Sequence, residues 1–147
     1  MALDELYREV ILDHYRNPRN RQPIDAPDAH ADGHNPLCGD EISLDLLFED
    51  DRVTEIAIVG RGCSISQSSA SMMSDAIKGK TRSEIAELNA RFKAMMDIDI
   101  EGDAGLDPDR PGSVLGDLEA LQGVRKFPVR IKCANLAWTT LEEALNQ

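Results

Sequence analysis

The sequence predicts an α+β fold: one helix, a small antiparallel sheet, then a run of helices around a shared core. Three observations predict it. Leu3, Leu6, Tyr7, Val10, Ile11 and Tyr15 lie on one helical stripe; Glu41 to Phe48 alternates apolar and polar residues; helical spacing dominates from Ile65 onward. A length of 147 residues suits a single domain over 1–147 and is short for two.

The first helix runs from Leu3 to Tyr15 and stops at Asn17-Pro18-Arg19-Asn20, a breaker followed by turn residues. Residues 20–37 carry Pro23, Pro27 and Pro36 and read as extended or loop, with only a weak strand signal at Ala29 to Gly33. In the next segment Ile42, Leu44, Leu46 and Phe48 share one strand face, and Glu41, Ser43 and Asp45 the other. A polar turn, Glu49-Asp50-Asp51-Arg52, leads into the β-branched run from Val53 to Gly60. The two runs form an antiparallel hairpin.

Ile65 to Lys78 is the next helix, with Ile65, Met72, Met73, Ala76 and Ile77 on one side. Six serines between Ser64 and Ser74 are poor helix formers, but they are small and permit close approach. Thr81-Arg82-Ser83-Glu84 is a capping box that opens a helix bearing Ile85, Leu88, Phe92, Met95 and Met96. Asp97 to Gly112 reads as an irregular acidic insertion, by default a solvated loop. Ser113 to Leu121 reads as a short helix and Gly123 to Phe127 as a connector. Pro128 suits the first turn of a last helix ending near Leu145, whose stripe is Val129, Cys133, Leu136, Ala137, Thr140, Leu141 and Ala144.

Apolar residues make up 41% of the chain and aromatics 4%, so the core is aliphatic and Met-rich. Sixteen Lys and Arg stand against 27 Asp and Glu, a net charge of −11, which argues against nucleic acid or an anionic membrane as the main partner. Mean hydropathy is −0.36, and no run approaches the roughly 18 apolar residues of a membrane span. The start, Met1-Ala2-Leu3-Asp4-Glu5, is acidic and helical, unlike a targeting peptide. A cytoplasmic protein is expected, with its thiols reduced.

Three cysteines, an odd number, exclude a full disulfide framework and leave core packing, metal ligation or thiol chemistry. Their spacing is not a paired C-x-x-C pattern, but their positions are informative. Cys38 and Cys63 flank the hairpin, whose open ends an antiparallel pairing brings together. Cys63 also begins a helix, where exposed amides stabilise a thiolate. Asp40 follows Cys38 by two and can face the same side; Cys133, one turn into the last helix, can complete a four-ligand set. Three thiolates and a carboxylate suit tetrahedral Zn²⁺. Against this, a free Cys often only packs, and Cys133 lies on an apolar stripe. His14, His30 and His34 are rival ligands: His14 reads as an ordinary residue near a helix end, the other two as solvated loop residues, with His34 retained as a candidate.

Four segments carry a resemblance. They are Leu6-Tyr7-Arg8-Glu9-Val10-Ile11-Leu12-Asp13-His14-Tyr15-Arg16-Asn17-Pro18-Arg19-Asn20, Asn35-Pro36-Leu37-Cys38-Gly39-Asp40, Gly62-Cys63-Ser64 through Met73, and Val129-Arg130-Ile131-Lys132-Cys133-Ala134-Asn135-Leu136-Ala137-Trp138. In this order they resemble the IscU-like family of iron–sulfur cluster assembly proteins, and most closely its SufU branch. The resemblance implies an α+β fold with a three-stranded antiparallel sheet packed against helices, and Cys38, Asp40, Cys63 and Cys133 as metal ligands. IscU scaffolds typically carry a His directly before the last Cys, where this chain has Lys132. SufU-like proteins carry an extra segment between the second and third cysteines, where this chain has Asp97 to Gly112. SufU-like proteins are understood as zinc-bound partners of a pyridoxal-phosphate cysteine desulfurase (SufS-like), from which they take persulfide sulfur for a downstream cluster scaffold or acceptor.

The expected function is therefore a zinc-dependent sulfurtransferase or sulfur acceptor. One alternative is a scaffold that builds a [2Fe–2S] cluster on the same ligands, binding iron in place of zinc; another is a structural-zinc module that binds a partner. Transfer requires one ligand to leave the metal. Cys38 is the expected leaver and catalytic residue, because its turn is flanked by Pro36 and Gly39 while Cys63 and Cys133 are tied to helices. The resemblance favours a partner His as the replacement ligand. Arg61, Arg130 and Lys132 adjoin ligands in sequence and read equally as support for thiolate or persulfide charge or as solvated surface cations.

Overall fold

The computed structural model describes residues 3–36, 39–96, 109–110 and 113–146. The order is α1 (Leu3–Arg16), β1 (Ala29–Asn35), β2 (Asp40–Glu49), β3 (Arg52–Arg61), α2 (Ser64–Ile77), α3 (Arg82–Met95), a 3-10 helix (Gly116–Lys126) and α4 (Pro128–Leu145). The expected α+β class holds. The strands form one antiparallel sheet in the order β1-β2-β3. The expected acidic insertion falls almost wholly outside the described residues.

The hairpin follows from its alternation. Ile42, Leu44 and Leu46 are buried on one face of β2, while Glu41 is exposed on the other. α4 lies across β1 and β2 and against α2; α1 packs on α2 and on the 3-10 helix. Met72, Met73 and Ile77 of α2 and Ala137, Trp138 and Leu141 of α4 fill the space between. The Trp138 ring stacks on Phe92 of α3 with centroids 5.3 Å apart and planes at 27°. The capping box at α3 is present: Glu84 N donates to Thr81 Oγ1 at 3.2 Å and Thr81 N to Glu84 Oε1 at 3.0 Å. Among the described residues no helix is long and apolar enough to cross a membrane.

The serines of α2 serve as joints. Ser69 Oγ donates to Ala134 O of α4 at 2.7 Å. Ser71 Oγ accepts the Arg19 N–H at 2.9 Å, and Ser74 Oγ accepts from Asn20 Nδ2 at 2.7 Å. The turn that ends α1 is thus stapled to α2, and Asn20 O also accepts from Ile58 N of β3 at 2.8 Å.

Four details differ from the sequence reading. The weak strand signal at 29–33 is a full strand to Asn35. The expected short helix and connector are one continuous 3-10 segment. Val129 and Tyr15, placed on apolar stripes, are 59% and 45% exposed: Val129 lies in the first turn of α4, before the helix enters the interior, and in the last turn of α1 it is His14 rather than Tyr15 that is buried. His14 is no ordinary helix-end residue: it is 1% exposed, with Nδ1 2.8 Å from Ser71 Oγ and Nε2 2.8 Å from Asp117 Oδ2. It joins α1, α2 and the 3-10 helix.

Candidate metal centre

The open end of the hairpin builds the site. Glu41 pairs with Arg61 in the β2–β3 register, so Asp40 and the residues after Arg61 adjoin. Gly62 lets the chain pass there. Its φ is 145°, and a Cβ at that position would lie 2.2 Å from Asp40 Oδ1, so a side chain would displace the carboxylate. Cys63 follows as N-cap of α2, with extended backbone (φ −69°, ψ 164°), and its sulfur accepts the Ser66 N–H at 3.5 Å.

Asp40 is fully buried. Its Oδ1 accepts the Cys63 N–H at 2.8 Å, and its Oδ2 lies 3.9 Å from Cys63 Sγ. The third member arrives from another part of the chain. Residues 128–132 of α4 are exposed or half-buried, and the helix first enters the interior at Cys133. Cys133 Sγ sits 3.7 Å from Asn35 Nδ2, which donates to it from the end of β1, and 3.9 Å from Val129 O. The donor atoms of Asp40, Cys63 and Cys133 all lie within 4.8 Å of one another.

This donor set fits a dication. A buried carboxylate beside two sulfurs is costly unless positive charge compensates it. Among the described residues no Lys, Arg or His pairs with Asp40, although seven other Lys or Arg side chains pair with acids elsewhere. Zinc bond lengths of about 2.3 Å to sulfur and 2.0 Å to oxygen put tetrahedral donors roughly 3.5 Å apart. The three donors, all within 4.8 Å of one another, exceed that spacing by at most about 1.3 Å. The mixed sulfur–oxygen set suits zinc better than a purely hard cation.

Cys38 lies outside the described residues. Its connection starts after Asn35 and ends at Asp40, and these two are register partners in the β1–β2 pairing. The connection therefore begins and ends at the centre. Asn35 is the residue that sequence reasoning passed over: it stands in the Asn-Pro-Leu-Cys-Gly-Asp motif, but nothing in the motif alone shows that its amide reaches Cys133.

The neighbouring cations divide. Arg61 is largely exposed and its Nε donates to Glu41 Oε2 at 2.7 Å; this contact lowers the Glu41 pKa and raises that of Arg61. Arg130 and Lys132 are exposed on the first turns of α4. The three histidines sit elsewhere. His14 is held by Ser71 and Asp117, His30 by Asp45 and Asp32, and His34 is an exposed residue opposite Glu41 on β1.

The NifU-like N-terminal domain matches residues 6–147 of the chain. The chain belongs to that family. This NifU-like domain is 47% identical to the "zinc-dependent sulfurtransferase SufU" of Bacillus subtilis over 143 residues, which is 97% of this chain and 91% of that protein. It is 40% identical to the "iron-sulfur cluster assembly scaffold protein IscU" of Streptococcus pyogenes, over 99% of this chain and 86% of that one. Among solved structures, FiSufU of Fervidobacterium islandicum AW-1, a candidate cluster assembly scaffold of the SUF system, superposes with a TM-score of 0.80 at 31% identity, covering 98% of this chain and 99% of that one. The resemblance to the IscU-like family and its SufU branch thus extends along the NifU-like domain rather than resting on the cysteine motifs alone.

Proposed function

We propose that this NifU-like protein is a zinc-dependent sulfur acceptor for iron–sulfur cluster assembly, working in the cytoplasm with a SufS-like, pyridoxal-phosphate cysteine desulfurase. The observation that carries the reading is the juxtaposition of the buried Asp40 and Cys133 with the half-buried Cys63 at the hairpin end. The likeness to a relative named a zinc-dependent sulfurtransferase supports it.

Cys38, Asp40, Cys63 and Cys133 would hold the ion. When bound, zinc keeps its sulfur ligands deprotonated at neutral pH. Cys63 is fixed by its capping role and Cys133 by its place in α4, whereas Cys38 belongs to neither helix. Cys38 is the ligand that would be freed if a partner His took its place on the ion, and its thiolate attacks the outer sulfur of the desulfurase's cysteine persulfide. A new S–S bond forms on Cys38 Sγ, the donor's S–S bond breaks, and its electron pair stays on the desulfurase cysteine as thiolate. The persulfide on Cys38 then passes to a downstream scaffold or acceptor. Arg130 and Lys132, without ion pairs among the described residues, supply positive charge beside the transferring sulfur; Arg61 is partly offset by Glu41.

The test starts from protein purified without added metal, expected to hold about one zinc per chain. After incubation with the desulfurase and cysteine, peptide mass spectrometry should place the added sulfur on Cys38. Cys38→Ser should keep much of its zinc and accept no sulfur. Sulfur on Cys63 or Cys133 would show that the wrong ligand was chosen as leaver. A scaffold is the second reading, favoured by the likeness to a relative named IscU. It replaces the first if no cysteine is persulfidated and iron with sulfide gives a stable visible spectrum.

A further inference from the structure

A groove of about 730 Å³ opens beside the metal centre, between α1, the start of α2, the 3-10 helix and the first turn of α4. Its wall includes Ser64, the residue after Cys63, and Arg130, one turn before Cys133. Its floor is apolar, formed by Ile11, Leu12, Ile65 and Val124, with Phe127 at its edge 59% exposed. Gln122 Nε2 donates to Tyr7 OH at 3.0 Å and fixes the wall between α1 and the 3-10 helix. At Gly123 nothing lies within 4 Å of where a Cβ would stand, so the groove is open on that side.

The rim is cationic. Arg8, Lys126 and Arg130 line it, all three exposed. Among the described residues none of them makes an ion pair. This is a local excess of positive charge on a chain whose net charge is −11. Several bases elsewhere on the surface are matched, as Arg61 is by Glu41, Lys78 by Glu55 and Arg82 by Asp51; at the rim three bases without an ion pair line a single groove. An apolar floor with an unmatched basic rim complements an acidic segment that carries a bulky apolar anchor. The acidic remainder of the molecule repels an extended polyanion such as nucleic acid.

We propose that this groove docks an acidic protein segment bearing one or two bulky apolar side chains, supplied by the partner that meets the metal centre. The apolar anchor covers Ile11, Ile65 and Phe127, and the acidic residues pair with Arg8, Lys126 and Arg130. A partner seated there presents its reactive group beside Cys63 and Cys133. That this partner is the sulfur donor rests on the sulfur-acceptor reading; the docking itself does not.

The probe is a phage-displayed library of randomised dodecapeptides, selected on zinc-loaded wild type and counter-selected on Arg8→Glu/Lys126→Glu. Both changes are at exposed positions, so zinc content and the circular dichroism spectrum serve as controls. Enriched peptides should be acidic with a bulky apolar residue. A synthetic selected peptide should bind the double variant at least about tenfold more weakly and should weaken as salt rises from ~50 to ~300 mM. The same peptide should raise the KM for desulfurase without changing kcat. No enrichment, enrichment of neutral or basic sequences, or equal binding to the double variant overturns the proposal. Sulfur found on Cys38 alongside failed peptide selection removes the groove and keeps the sulfur-acceptor reading; peptide binding without persulfide does the reverse.

Discussion

Asp40 reaches Cys63 twice: Oδ1 accepts its backbone N–H at 2.8 Å, and Oδ2 lies 3.9 Å from its sulfur. One carboxylate therefore fixes the start of α2 and faces the space the sulfurs share. Gly62 between them leaves room for this contact and no side chain.

The two roles of Asp40 separate on substitution. Asp40→Asn keeps an oxygen for the Cys63 N–H and should retain the fold, with zinc affinity lower by at least about tenfold. Asp40→Ala also removes the acceptor and should cost about 1 kcal/mol or more of stability. Urea unfolding and competition with a zinc chelator measure the two effects. Equal stability of both variants would dismiss the anchoring role.

Removing the metal should loosen the molecule. Cys63 caps α2 and Cys133 sits in α4, so an ion held by both ties two helices to the hairpin end. An ion present at 100 times its dissociation constant adds about 2.7 kcal/mol. A strong chelator should therefore lower the Tm of zinc-loaded protein by on the order of 5–10 °C. A Tm insensitive to chelation would argue against a bound ion.

His14 should matter for stability, away from the centre. Both ring nitrogens are engaged and the side chain is buried. His14→Ala leaves a cavity and a weakened joint between three elements, an expected loss of about 2–4 kcal/mol. Asp117, whose side chain is 60% exposed, should tolerate Ala at about 1 kcal/mol. Comparable denaturation midpoints for the two variants would contradict this reading of the joint.

His30 gives a pH-dependent term. It stands opposite Asp45 across β1–β2, and its pKa is raised above 6.5 by hydrogen bonds first to Asp45 and then to Asp32. A raised folded pKa means the contribution is complete below the unfolded value near 6.5 and fades as pH rises through the folded value. The pair is half exposed, so the effect should not exceed about 1 kcal/mol. The stability gap between wild type and His30→Gln should be largest near pH 5.5 and close at alkaline pH. A gap that widens with pH would reverse the assignment.

Some elements were legible because their signal is local. The hairpin declared itself by alternation, and α3 by its capping box. β1 did not, for a reason the tertiary structure supplies. Its inward positions are Ala29, Ala31 and Gly33, small because α4 crosses them closely: a Cβ on Gly33 would fall 1.8 Å from Thr140 Oγ1. A strand built for close approach carries little hydrophobic signal. The serines of α2, poor helix formers by type, are there for the same reason, since their hydroxyls meet α4 and the turn after α1 rather than an apolar layer.

The sequence by itself determined that the chain around Asp40 and the chain around Cys63 adjoin, because an antiparallel hairpin joins its own ends whatever surrounds it. It determined the residue types at the centre and hence the chemistry they can support. Only the tertiary structure decided that Cys133 joins them, since that depends on where α4 crosses the sheet and at which residue it enters the interior. It also decided that Asn35 reaches the Cys133 sulfur and that His14 is a buried joint. Those contacts span 98 residues for Asn35 and 57 and 103 for His14, and packing between elements, which no local pattern encodes, sets them.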